Sequence, residues 1–249
     1  MDNKIVRRLG TRSLAILLAG TMAFTDLGVD AMASTAPTAQ TMYIQNLGAE
    51  NAGSILDKGF NRAQMTKEEK QTFDEALEQS YQQNKGVAKE NNWTKKEYKE
   101  NMEKLLNGTM EVEETSDGKL QMYSMETVML ENGKKAKKKK KHGWLSVGAL
   151  GTAINIIISL AIGSVGFGSI KAMVKAWGKK KAKAWVKKHV KKAVVDKIKF
   201  LLGKKAAQKA GSIILMIVSK CIDIDPGLWV AKQIDKRDKI PSNGYIEFF

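Results

Sequence analysis

Acidic side chains are scarce in the second half of this 249-residue chain. Residues 134–249 carry 6 Asp+Glu against 27 Lys+Arg, a net charge of +21. Residues 34–133 carry 17 against 11, a net of −6. Cysteine is almost absent: Cys221 is the only one, so no intramolecular disulfide staples the fold. It serves as a free thiol, a dimer bridge or a buried apolar side chain, the last being the common fate of a lone cysteine inside SKCIDI. Histidine is limited to His142 and His189, and no HExxH, GxSxG, CxxC or Walker-type loop occurs. An enzyme is therefore not expected. His142 follows a lysine run and reads as solvated, and His189 reads as a surface residue among lysines. Asp223, Asp225, Asp235 and Asp238 are too sparse for calcium, which takes six or more oxygens, so no metal or cofactor is expected. Proline is confined to Pro37, Pro226 and Pro241, so proline chemistry interrupts no helix between the first two.

The N-terminus has the layout of an export signal. Lys4, Arg7, Arg8 and Arg12 form a positive region, and residues 13–24 form an apolar one. At about 12 residues it falls short of the roughly 20 needed to span a bilayer. Ala31 and Ala33 place small side chains where a signal peptidase reads. Export with cleavage after Ala33 is expected, leaving a secreted protein with possible residence at the membrane or envelope.

The charge changes sign at Lys134-Lys135-Ala136-Lys137-Lys138-Lys139-Lys140-Lys141. Like charges this dense repel one another and favour an unfolded, protease-sensitive segment. Lys137, Lys138, Lys139, Lys140 and Lys141 are thus the expected processing site. The resulting division is a signal peptide at 1–33, an acidic pro-segment at 34–133, a polybasic linker at 134–142 and a cationic helical domain at 143–249.

Within the acidic segment, residues 34–62 read as mostly loop. Thr66 with Glu69, and Thr94 with Glu97, fit capping boxes. They open helices with apolar stripes at Phe73, Ala76, Leu77 and Tyr81, and at Tyr98, Met102, Leu105 and Leu106. Asn107-Gly108 stops the second. Residues 109–114 and 119–125 flank Ser116-Asp117-Gly118 as a β-hairpin. The segment is read as a small α+β unit with a thin core.

Residues 143–170 carry no charge and are rich in small side chains. Pairs such as Gly148/Thr152 and Ala149/Ala153 allow helices to approach closely. Two short helices broken near residues 163–168 are expected, buried in a bundle or inserting on target contact. Residues 171–202 read as an amphipathic helix. Lys180, Lys183, Lys187 and Lys191, with Lys188 and Lys192 beside them, lie on one face, and Val186, Val190, Val194, Ile198 and Leu201 on another. Trp177 and Trp185 mark the border, where aromatics settle at a lipid interface, and Trp144 precedes the apolar stretch. Gly203 breaks the helix. Residues 206–222 form a further apolar segment, and Asp225-Pro226 caps a last helix. The overall fold class expected is mainly α.

The lysine cluster admits three readings. A solvated helix face does not explain +21 beside two apolar segments. Nucleic acid is disfavoured by export and by the near absence of Arg in residues 134–249, where Arg237 stands alone. Anionic membrane binding fits best, at roughly 1 kcal/mol per lysine near a negative leaflet and ~25 cal/mol per Å² of buried apolar surface.

The segment GTAINII at residues 151–157, the break GSVGFG at 163–168 and the run from Ile170 through Ala184-Trp185-Val186-Lys187-Lys188-His189-Val190-Lys191-Lys192 to Val194 resemble the circular bacteriocins of the enterocin and carnocyclin type. The likeness covers residues 144–202. It implies a saposin-like bundle of short helices whose cationic patches permeabilise bacterial membranes. This chain adds an acidic segment before that region and an apolar segment and capped helix after it, and circularisation is not expected. The function expected is a secreted bacteriocin-like precursor, released by proteolysis from its acidic pro-segment. Its partners would be the anionic bacterial membrane or envelope and the pro-segment itself, with an immunity protein unspecified. The alternative is a non-lytic envelope-binding protein or adhesin.

Overall fold

In the computed structural model, residues 49–130, 134–222 and 224–247 are described. The expected signal peptide, with Ala31 and Ala33, lies outside them. The described residues belong to one compact unit, mainly helical with a small three-stranded sheet.

Helix α1 is Ala49–Asp57. It corrects the expected loop across residues 34–62, because Ala52 and Ile55 find a core to bury against. Helix α2 (Lys67–Gln83) opens on the Thr66/Glu69 capping box and α4 (Lys95–Asn107) on the Thr94/Glu97 one. Each satisfies two helix-end donors reciprocally. A short helix, α3 (Lys85–Glu90), lies between them. Gly108 ends α4 in a left-handed conformation, the expected stop.

Strands β1 (Glu111–Glu114) and β2 (Leu120–Met129) form the hairpin that Ser116-Asp117-Gly118 predicts. The lysine run is not an unpaired hinge. It is β3 (Lys135–Trp144), antiparallel to β2, with Met125 opposite Lys139, Thr127 opposite Lys137 and Met129 opposite Lys135. Pairing with β2, whose one charge is Glu126, spreads the lysine heads on both faces of the ribbon. Glu113 and Glu126 take up Lys139 and Lys140.

Helix α5 (Val147–Gly163) starts at Ser146, whose hydroxyl accepts from the Ala149 amide. Every residue but Gly148, Asn155 and Ser159 is buried. A helix that is apolar all round must be enclosed, and α5 is: α1 to α4 pack on it from one side of the sequence. Helix α7 (Val190–Ser219) and helix α8 (Pro226–Asp235) pack on it from the other. Contact with α8 is close because Gly151 faces Leu228; a Cβ there would lie 2.7 Å from the Leu228 Cα. Asn155 accepts from the Gly227 amide at 2.6 Å and donates to Asp225, tying α5 to the N-cap of α8. The C-terminal segment closes on the entry to α5. Val147 N donates to Gly244 O at 2.9 Å, and Ile246 N to Leu145 O at 3.1 Å.

A single hydrophobic core therefore runs through both charge halves, from Ala52 to Ile246. The expected boundary at residues 134–142 does not separate two cores. Sequence charge sorts the surface, whereas the apolar residues of both halves are buried together.

Helix α6 (Ile170–Lys188) and α7 form the lysine-rich pair. The break expected near residues 163–168 lies at residues 164–169, and one 17-residue helix, α5, precedes it. The amphipathic region is likewise two helices, joined at His189. Gly178 (φ 77°, ψ 153°) and Gly203 (φ 82°, ψ 179°) leave helical geometry, so α6 and α7 are each two helical segments joined at a kink, and the break expected at Gly203 is present.

Candidate anion-binding surface

Residues 170–219 hold fifteen lysines and one acid, Asp196. The apolar stripe of α6 is narrow, with Ile170, Met173, Ala182 and Val186 buried. Lys180, Lys183, Lys187 and Lys188 are exposed, as is Lys192 at the start of α7; Lys191 is half-buried. The fold thus brings the expected lysines to one helix pair. Lys197 instead turns inward over the Phe60 ring, 5.7 Å from its centroid. Burial pushes its pKa down from the usual lysine value.

Trp177 and Trp185 are half-buried and belong to a longer aromatic series. Phe167 meets Trp177 edge-on at 4.9 Å, Trp177 meets Trp185 at 6.1 Å, and Trp185 stacks on His189 at 4.9 Å. Lys181 Nζ sits 4.9 Å from the Trp177 centroid. Phe167 and His189 were missed as members. The signal for His189 was its position four residues after Trp185, one helical turn on. Phe167 joins only because the turn before α6 folds back, which spacing does not show.

Trp144 is elsewhere. It ends β3, its amide donates to Asn91 Oδ1 at 2.9 Å, and Lys119 Nζ lies 5.6 Å from its ring. Lys137 to Lys141 lie on β3, exposed. His142, expected to be solvated, is buried: the bulge between Met122 and Tyr123 in the β2–β3 register turns it inward, and Nε2 lies 2.7 Å from Ser124 Oγ. Burial first, then the nearby Lys104 and Lys140, push its pKa below the usual imidazole value. A neutral ring is therefore favoured there.

Among the described residues no group of three His, Cys, Asp or Glu has the geometry to hold a metal ion. Cys221 is half-buried, its Sγ 3.6 Å from Val218 O. No described helix is long and apolar enough to cross a membrane. Comparison with family models, with curated proteins and with solved structures finds no match.

Proposed function

We propose that this chain is an exported, bacteriocin-like cationic protein that adsorbs on anionic bacterial membranes through the α6–α7 lysine face. The observation that carries this reading is the pairing of that face with the Trp177–Trp185 series at its polar–apolar border. Lysines supply roughly 1 kcal/mol each against a negative leaflet, and indole rings favour the lipid interface. In this reading the helices around α5 act as a saposin-like bundle. The acidic segment masks the basic half, covering α5 by packing and offsetting part of the lysine charge. Its processing within residues 137–141 would have to part β3 from β2 and lift α1 to α4 off α5 before α5 reached lipid.

The burial of α5 also favours a second reading, an envelope-binding protein or adhesin that adsorbs without leakage. Vesicles of phosphatidylglycerol and phosphatidylcholine, loaded with dye, distinguish the two. Sedimentation with these vesicles, weakening as salt rises, is expected in both cases. Dye release by protein nicked in residues 137–141, and not by the intact form, supports the masked precursor. Binding without release by either form supports the adhesin. Equal binding to pure phosphatidylcholine, insensitive to salt, would exclude both.

A further inference from the structure

We infer that the outer face of the β2–β3 ribbon is a second contact element for anionic lipid, separate from α6–α7. The register sets its composition. Residues directly opposite on antiparallel strands share a face, so Met125, Thr127 and Met129 share one with Lys139, Lys137 and Lys135. The other face carries Ser124 and Glu126 and is turned to α4, where Lys104 Nζ lies 3.5 Å from Ser124 Oγ and 3.4 Å from Glu126. The face bearing Lys135, Lys137, Lys139 and the methionines is therefore the one not covered by α4.

Its apolar members are unusually open. Met125 is 50 % exposed and Met129 66 %, two of the six large hydrophobic side chains exposed among the described residues. Methionine side chains gain from leaving water at about 25 cal/mol per Å². Alternate lysines stand about 7 Å apart along a strand. Lys139 is held by Glu113 and lies 3.8 Å from the Tyr123 centroid. Lys135 and Lys137 form no ion pair with a described residue.

A soluble polyanion would engage the lysines and leave the methionines in water. A lipid surface engages both, with phosphates at the lysine heads and acyl chains at Met125 and Met129. Lysine on an exposed edge strand also discourages pairing with another strand, which argues against a second copy as the occupant.

The inference takes its ligand class from the membrane reading but not its site. The test uses the full chain carrying Cys221→Ser, with an environment-sensitive dye on Met129→Cys, or on Lys183→Cys as the α6 reporter. Phosphatidylglycerol-containing vesicles are expected to blue-shift the dye at position 129. Met125→Ser with Met129→Ser, or Lys135→Gln with Lys137→Gln, each in the chain with the dye on Lys183→Cys, is expected to weaken binding about tenfold. A shift at 183 with none at 129 overturns the ribbon contact and leaves the helix face standing. A shift at 129 with none at 183 supports the ribbon and refutes the α6–α7 site. A shift at 129 as large with polyphosphate assigns the row to a soluble polyanion and overturns the lipid assignment. Vesicles that sediment without protein overturn both.

Discussion

Asp235, Asp238 and Glu247 lie within electrostatic reach of one another where the C-terminal segment returns to the end of α8. Glu247 N donates to Asp238 Oδ2 at 3.2 Å. Asp235 Oδ1, Asp238 Oδ1 and Glu247 Oε2 are buried without a hydrogen-bond partner among the described residues. Burial, reinforced by the Glu247 charge, pushes Asp238 up to about 7. An unfolded Asp loses its proton near 4. Between these values the folded state holds a proton that the unfolded state has released. This group's contribution therefore makes stability fall as pH rises from about 4 to about 7, then level off. Glu247→Gln removes one charge from the cluster and should flatten that decline. Urea unfolding of both forms at about pH 5 and about pH 8 checks it; an unchanged difference between the two pH values would refute the coupling. At this scale the sequence was legible where partners are local. Thr66 and Glu69 announce their box because they are three residues apart. His142 does not announce its burial, since Ser124 reaches it only through strand pairing and a bulge.

Elements were legible where apolar periodicity sets them, as in α2 and α4, or where a cap marks their start, as Asp225-Pro226 does for α8. Charge density misled at β3. Seven lysines in eight residues read as unfolded, but β2 offers nine residues of ladder, and backbone pairing does not depend on side-chain charge. The trypsin-sensitive positions move accordingly. First cuts are expected at Lys179–Lys181 or Lys204–Lys205, exposed beside the kinks at Gly178 and Gly203, rather than at residues 137–141. Mass spectrometry of the earliest fragments decides this. First cuts within β3 would restore the hinge reading and the simplest form of processing.

For the whole molecule, the sign change at residue 134 was plain, and it is a surface property. The shared core was not legible, because nothing in the composition of residues 143–170 says which helices will enclose them. α5 needs α1 to α4 for its cover. Fragment 143–249 by itself is therefore expected to keep helical far-ultraviolet dichroism, lose near-ultraviolet signal and bind a hydrophobic dye. A cooperative unfolding transition matching that of the intact chain would show that the basic half is a domain in its own right.

The central position of α5 also fixes when the fold can close. Its covering helices are synthesised on both sides of it, four before and two after, and the pairing of Leu145 and Val147 with Ile246 and Gly244 comes last. While the chain grows, α1 to α4 can gather on α5 but leave the side that α7 and α8 will occupy. An apolar helix is then open to water, lipid or a chaperone until about eighty further residues have emerged, roughly 4–17 s at typical elongation rates. Folding is in this sense a race between closure by the last helix and capture by whatever binds α5 first.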